Sequence, residues 1–291
     1  MTTGEAYIDF IKKLKTIYDD REAETISDWV FENLTGMKRW ERRANQHNEI
    51  KNSEYQQLQK YLQELLKHKP VQYVLNESWF YKMKFFVNGN VLIPRPETEE
   101  LVEWIVNEFE GGNPNSSKTR NILDIGSGSG CISIALKKEL PNADIIALDI
   151  SEEALEVARK NARDLNTSID FLQIDFLDED KWSALFQYDI IVCNPPYIPL
   201  KEKDSLGRNV IDFEPSVALF VEDENPFIFY QKIAKFSKKH LNANGRIYLE
   251  VHELQAEDIK GILEKEGFTA TIKKDIYGKD RMVRGEMVKK V

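Results

Sequence analysis

The sequence predicts an α/β fold: a mostly parallel sheet covered by helices on both faces, preceded by a small helical domain and a short β-hairpin. Three observations carry that reading. From Asn121 onward, apolar runs of strand length alternate with helical stretches, the pattern of βαβ units. The first of these runs ends in a glycine-rich loop, Gly126-Ser127-Gly128-Ser129-Gly130, that opens a helix. The fourth, Tyr188 to Cys193, is stopped at once by Asn194-Pro195-Pro196-Tyr197, because neither proline can donate to a sheet ladder.

The elements follow in order. Residues 4 to 69 read as helical: Tyr7, Phe10, Ile11 and Leu14 recur at helical spacing, as do Ile26, Trp29-Val30, Phe31 and Leu34. Gly36 is a stop signal, Asn52-Ser53 are cap residues for a helix carrying Tyr55, Leu58, Leu62 and Leu65, and Pro70 ends the helical region. Lys38, Arg39, Arg42 and Arg43 form a basic cluster, read as a solvated face, with contact to an acidic or RNA-bearing partner as the alternative. Trp79 to Tyr81 and Lys84 to Val87 read as the strands of a hairpin. In Val91-Leu92-Ile93-Pro94-Arg95-Pro96-Glu97-Thr98-Glu99 two prolines flank one arginine; the segment is either a linker or a lid, and Glu97 opens a helix to Phe109. Gly111 to Ser117 is a plain loop.

In the alternating region, strands are expected at Asn121–Ile125, Asp144–Asp149, Asp170–Ile174, Asp189–Cys193 and Gly245–Val251, then Thr269–Lys273 and Arg281–Glu286. Helices are expected at Cys131–Leu140, Glu152–Leu165, Pro226–His240 and Leu254–Glu266.

Composition bounds what the chain can be. Its 291 residues suffice for one large domain and a smaller companion. At 42% hydrophobic and 31% charged the composition is globular. No apolar run approaches the roughly 20 residues that span a bilayer, and Met1-Thr2-Thr3-Gly4-Glu5 has no signal-peptide character. Cys131 and Cys193 sit in apolar stretches and are expected to be reduced core residues of a cytoplasmic protein. His47, His68, His240 and His252 lack metal-ligand spacing, so no metal is expected. A net charge of -9 argues against a chain that coats nucleic acid.

Two motifs carry chemistry. The first is Leu123-Asp124-Ile125-Gly126-Ser127-Gly128-Ser129-Gly130. Its spacing is G-x-G-x-G rather than the G-x-G-x-x-G of a pyrophosphate loop. A carboxylate at Asp124 would repel a pyrophosphate and attract an α-ammonium. Asp149 ends the second strand, where nucleotide folds place a ribose-binding acid. Asp175-Phe176 follows the third strand, offering an acceptor for an adenine amine and a ring to stack on the base. A ligand with an amine, a ribose and an adenine but no phosphate is S-adenosylmethionine; the alternative is a NAD-type fold.

The second motif is Asn194-Pro195-Pro196-Tyr197. It presents a side-chain amide, backbone carbonyls that no local helix can use and an aromatic ring, a set suited to a flat group bearing an NH2. Asn194 is expected to accept one N–H through its side-chain oxygen and the Pro195 carbonyl the other, with Tyr197 packed on the flat face. The bland alternative is a Pro-Pro loop with a capping Asn.

The chain resembles the HemK/PrmC family, the peptide-chain-release-factor glutamine methyltransferases. The resemblance runs from about Pro70 to Gly285. It rests on Pro70-Val71-Gln72-Tyr73, Val91 to Glu99, Asp124 to Gly130, Asn194 to Tyr197, Phe213-Glu214-Pro215-Ser216-Val217-Ala218-Leu219 and Asp280-Arg281. It implies a helical domain over 1–75, a β-hairpin linker over 76–95, and over 96–291 a seven-stranded, mostly parallel, Rossmann-like methyltransferase sheet whose last strand is antiparallel.

The implied reaction moves a methyl group from S-adenosylmethionine, leaving S-adenosyl-L-homocysteine, to the side-chain nitrogen of the glutamine in the Gly-Gly-Gln loop of a class I release factor. The resemblance puts Gly126, Ser127, Gly128, Ser129, Gly130, Asp149, Phe176 and Asn194 on the cofactor. It puts Asn194, Pro195, Pro196 and Tyr197 on the glutamine, with Arg95 and Glu97 helping to close the site. A monomer with no stable nucleic-acid complex and no membrane contact is expected.

The chain departs from its relatives at Asn76 and Lys82, where glycines are frequent; Lys tolerates left-handed geometry poorly, so a differently built turn is expected near Lys82. Phe176 stands for a tryptophan of some members, and Val221-Glu222-Asp223-Glu224 for a glycine-rich stretch. Competing readings are an adenine-N6 methyltransferase, which would need base flipping, a ribosomal-protein glutamine methyltransferase, and a non-catalytic cofactor-binding module.

Overall fold

A computed structural model describes residues 1–110 and 119–288; the loop expected over Gly111–Ser117 lies outside them. The chain divides into two units, Met1–Glu77 with Gly207–Phe213, and Ser78–Leu206 with Glu214–Val291.

The first unit is helical: α1 (Thr3–Leu14), α2 (Asp20–Thr35), α3 (Arg39–Ala44), α4 (Asn52–Leu65), α5 (Val71–Leu75) and, far along the chain, α9 (Arg208–Ile211). Thr2 and Glu5 close a reciprocal capping box on α1, Glu5 N donating to Thr2 Oγ1 (3.1 Å) and Thr2 N to Glu5 Oε2 (2.8 Å). Gly36 ends α2 with φ +70°, the left-handed cap its sequence position signals. Phe10, Leu14, Val30, Phe31, Leu58 and Leu65 form the core, with Phe10 and Tyr7 edge-on to Phe31.

Two expectations fail in this unit. Pro70 starts a helix rather than ending the helical region: its carbonyl accepts from Tyr73 N and Val74 N, both at 3.0 Å, and α5 follows. The basic cluster is not one solvated face either. Arg42 is buried, donates to Asp28 Oδ1 at 2.6 Å and lies 3.6 Å from the centroid of the Tyr7 ring. Tyr7 Oη donates to the same Asp28 oxygen (2.7 Å), and these partners hold the Asp28 carboxyl below its ordinary range against the opposing effect of burial.

The second unit begins with a hairpin, β1 (Ser78–Phe80) and β2 (Met83–Phe85), in register Ser78↔Phe85. Tyr81 and Lys82 have φ of +47° and +61°, the two left-handed residues of a type I′ turn. The turn is therefore the regular one despite Lys82, at a strain of about 1 kcal/mol or more per residue. Tyr81 N donates to Glu99 Oε1 (3.0 Å), and Phe80 and Phe85 are buried beneath the turn.

Then come α6 (Pro96–Glu110), β3 (Arg120–Ile125), α7 (Cys131–Glu139), β4 (Ala143–Asp149), α8 (Glu152–Asp164), β5 (Asp170–Gln173) and β6 (Tyr188–Cys193). They are followed by β7 (Ile198–Pro199), α10 (Ser216–Leu219), β8 (Phe220–Val221), α11 (Ile228–His240), β9 (Leu241–Glu250), α12 (Ala256–Lys265), β10 (Phe268–Lys274) and β11 (Asp280–Met287).

The main sheet has seven strands in the order β10-β11-β9-β6-β3-β4-β5, with β11 antiparallel to both of its neighbours and the β9-to-β5 run parallel. Every residue of β6 is buried, as a central strand covered on both faces requires, whereas edge strand β5 is largely exposed. Strand β9 starts four residues before the expected Gly245. Leu241 pairs with Tyr188, and Asn242 Nδ2 donates to Asp189 Oδ1 (3.1 Å), so turn-forming residues are drawn into the sheet. Cys131 and Cys193 are buried free thiols. Among the described residues no helix is long and apolar enough to cross a membrane.

Candidate active site

Parallel pairing of β3 with β6, in register Ile125↔Cys193, sets the glycine loop and Asn194 side by side at the carboxyl edge of the sheet. Strands β4 and β5 bring Asp149 and Asp175 to the same edge. This is where open α/β sheets bind ligands. The glycine loop is tied to the end of β4: Gly126 N and Ser127 N donate to the Leu148 carbonyl (2.9 and 2.8 Å), and Gly128 N donates to Asp149 Oδ2 (2.8 Å). Gly126 and Gly128 have φ of +73° and +52°, and a Cβ on either would project into open space. Gly130 serves packing instead, since its Cβ would lie 3.1 Å from Ala158 Cβ on α8.

Above the loop lies a cavity of about 520 Å³. Of the residues expected on the cofactor or substrate, Gly126, Gly128, Asp149, Asp175, Phe176, Asn194 and Pro196 line it. Asp124, Ser127, Ser129, Gly130, Pro195, Tyr197, Arg95 and Glu97 are not among its lining residues. Leu92, Pro215, Phe220 and Asn225 are, and β7 pairs with β8 to bring the segments after β6 and before α11 together. The charged lining residues are Asp149, Asp175, Glu222 and Glu224, with no Lys or Arg among the described ones. Such a cavity repels phosphates and favours a cationic ligand.

Asp124 sits behind this lining, fully buried in β3. Ser133 Oγ donates to its Oδ2, while Oδ1 has no hydrogen-bond partner. Burial, opposed by the Ser133 bonds, pushes its pKa up to about 7. Burial also raises Asp149, despite bonds from the Ser151 and Gly128 backbone. An unsatisfied buried carboxylate is costly, and a positive charge in the adjoining cavity offsets that cost through space. The donor set therefore fits S-adenosylmethionine, whose amine and sulfonium are both cationic. The Phe176 ring is held by Trp182 (5.5 Å between centroids) and Phe236 (5.3 Å).

The Asn-Pro-Pro-Tyr turn is braced from two directions. Asn194 Nδ2 donates to Thr98 Oγ1 (3.2 Å) in the first turn of α6, and the Thr98 hydroxyl donates to Glu250 Oε2 (2.6 Å) at the end of β9. Glu250 is buried, and desolvation pushes its pKa up to about 7. Tyr197 lies 6.1 Å from the His252 ring, and burial raises its hydroxyl pKa. The Arg95 guanidinium donates to Glu214 Oε1 (2.6 Å), and Ile93 N to Glu214 Oε2 (3.1 Å). These two bonds tie the Pro-Arg-Pro segment to the Phe-Glu-Pro segment. Arg95 and Glu97 lie close enough to Tyr197 to act electrostatically on its hydroxyl.

Sequence reasoning missed Glu250, and quoted Thr98 and Glu214 only as parts of motifs. The available signal for Glu250 was a lone acid in the apolar run Ile247-Tyr248-Leu249-Glu250-Val251. Among the described residues no group of three or more His, Cys, Asp or Glu could hold a metal ion.

The seven-stranded order, the glycine loop and the edge cavity define a Rossmann-like methyltransferase domain. Residues 105–213 match the Methyltransferase small domain family and residues 5–75 the PrmC N-terminal domain family. A release factor glutamine methyltransferase of Flavobacterium psychrophilum is 41% identical over 94% of this chain and 95% of its own length. One of Bacteroides thetaiotaomicron is 38% identical over 94% and 95%. A T. thermophilus 16S rRNA N2 G1207 methyltransferase, solved with AdoMet and guanosine, shares the fold with a TM-score of 0.51 at 15% identity, over 73% of this chain and 50% of that one. The chain belongs to the release factor glutamine methyltransferase family.

Proposed function

We propose that this chain methylates the side-chain amide nitrogen of the glutamine in the Gly-Gly-Gln loop of a class I peptide chain release factor, with S-adenosylmethionine as donor. The observation that carries the reading is the Asn194 to Tyr197 turn at the rim of an acidic cavity with no Lys or Arg among its described lining residues. Two relatives named release factor glutamine methyltransferase, each matched over 94% of this chain, support it.

Bound S-adenosylmethionine would supply an electrophilic methyl group. In this reading Asp124 neutralises the α-ammonium, Asp149 accepts from the ribose hydroxyls, and Asp175 and Phe176 face the adenine. The glycine loop lets the backbone approach closely. An amide nitrogen is a poor nucleophile because its lone pair is delocalised, so positioning supplies much of the rate. Asn194 Oδ1 and the Pro195 carbonyl each accept one amide N–H, which fixes the plane of the glutamine side chain. Tyr197 packs on that plane, and the paired segments of Arg95 and Glu214 border the site.

The test is transfer of label from S-adenosylmethionine to a class I release factor and to the same factor with its Gly-Gly-Gln glutamine changed to alanine. Label on the first alone is expected; label on both, or on neither, overturns the proposal. In Asn194→Ala, kcat should fall ~10²–10³-fold, the cost of losing one preorganised contact to the reacting group, with cofactor affinity within about threefold of wild type. Equal loss of both refutes the role given to Asn194.

A further inference from the structure

We infer that Thr98 and Glu250 are positioning residues that fix which end of the Asn194 amide faces the substrate; the inference rests on the site being an amide-nitrogen methyltransferase site. The two ends of an asparagine side chain have nearly the same shape and opposite hydrogen-bonding character. Gripping a substrate NH2 requires the oxygen to face it. The reversed amide would set N–H against N–H.

The chain of partners settles the direction. Glu250 is 1% exposed and, ionised, can only accept. Its 2.6 Å contact with Thr98 Oγ1 is therefore an O–H···O⁻ bond donated by the hydroxyl, at the short distance expected of a charge-assisted bond. With its one proton committed, the buried Thr98 oxygen can only accept. The group 3.2 Å away on Asn194 must then be the Nδ2 amine. Oδ1 is left to face the substrate.

The three residues come from α6, β9 and the turn after β6, so the orientation is held by the packed sheet and not by the loop. Glu250 is itself anchored, because the Tyr230 hydroxyl donates to its carbonyl (3.1 Å) and Leu249 pairs with Cys193. Glu97, Arg281, Arg95, Cys131, Cys193, Tyr197 and Tyr230 are the titratable or charged groups that interact with this carboxyl or its strand end. Protonation of Glu250 would give it a proton to donate, release the Thr98 hydroxyl and allow the Asn194 amide to turn over. The acid limb of the kcat profile should accordingly follow Glu250.

The test compares Thr98→Val, which keeps shape and removes the hydroxyl, with Thr98→Ser, which keeps the hydroxyl. Glu250→Gln is the third variant, and its amide can donate back to Thr98. Release-factor methylation is measured on each, with the Asn194 side-chain NH2 signal in the cofactor-free protein assigned by its loss in Asn194→Ala. Thr98→Val and Glu250→Gln should lower kcat about 10- to 100-fold, less than deleting the acceptor outright. The KM for cofactor should stay within about threefold, and Thr98→Ser should recover most of kcat. Both damaging variants should also abolish the slowed solvent exchange of the Asn194 NH2.

Wild-type kcat in Thr98→Val overturns the inference, as does equal loss in Thr98→Val and Thr98→Ser. If wild type methylates no release factor, the proposed function fails instead. The Asn194 NH2 signal then decides the inference alone, and no change in Thr98→Val overturns it.

Discussion

Asp124→Asn tests the electrostatics of the site most sharply, because two properties should move in opposite directions. The native carboxyl is fully buried with one oxygen unpartnered, and burial raises its pKa from 3.8 to about 7. Well below pH 3.8 it is protonated whether the chain is folded or not, so it costs nothing. Between 3.8 and about 7 the unfolded chain ionises and the folded one does not, so stability falls as pH rises; above about 7 the penalty is complete. At 1.36 kcal/mol per pH unit that span amounts to roughly 4 kcal/mol, an upper bound for the gain on substitution.

The cofactor-free Asp124→Asn protein should therefore melt higher than wild type at pH 8 and nearly with it at pH 4. Its affinity for S-adenosylmethionine should fall about 10-fold, the loss of roughly 1.4 kcal/mol of charge–charge attraction across the cavity wall. S-adenosylhomocysteine should suffer equally, since it carries the same ammonium. Thermal melts across pH with calorimetric titrations measure both. A variant that is less stable at pH 8, or that binds both ligands as wild type does, refutes the reasoning.

Three further substitutions probe other parts of the molecule. Arg42→Met removes the buried partner of Asp28 and should cost ~3 kcal/mol, seen as roughly 100-fold faster hydrogen exchange across residues 20–44 with cofactor affinity unchanged; wild-type exchange would show the pair to be dispensable. Glu214→Gln breaks the charged tie to Arg95 between two segments whose neighbours Leu92 and Pro215 line the cavity, so cofactor affinity should fall several-fold, and an unchanged Kd would contradict that reading of the wall. Gly128→Ala adds a Cβ where φ is +52°; a destabilisation of about 1 kcal/mol is expected with weaker cofactor binding, and wild-type stability would mean the loop relaxes freely.

What was legible in the sequence follows from the range of the forces involved. Central strands such as Tyr188–Cys193 are apolar on both faces, so a local window finds them and their helices to within a few residues. The Gly126–Gly130 loop and the Asn194–Tyr197 turn are contiguous, and the parallel register of β3 and β6 places them together as a doubly wound order predicts. The failures are long-range or depend on neighbours. Arg42 reads as surface charge until Asp28 and Tyr7 fold against it. Glu214 and Glu250 gain their roles through partners 119 and 152 residues away, which no spacing rule reaches. Leu241 joins β9 because Tyr188 is there to pair with it, and Lys82 takes a left-handed conformation because the two-residue turn between Phe80 and Met83 demands it.

If the turn after β6 presents a glutamine amide nitrogen for methylation, the product itself shows it. Incubating the chain with S-adenosylmethionine and a class I release factor, then fragmenting the Gly-Gly-Gln peptide by tandem mass spectrometry, locates the methyl group. One methyl is expected on the glutamine side-chain nitrogen, released as methylamine on acid hydrolysis. A methyl on the backbone, on another residue or on none would contradict it.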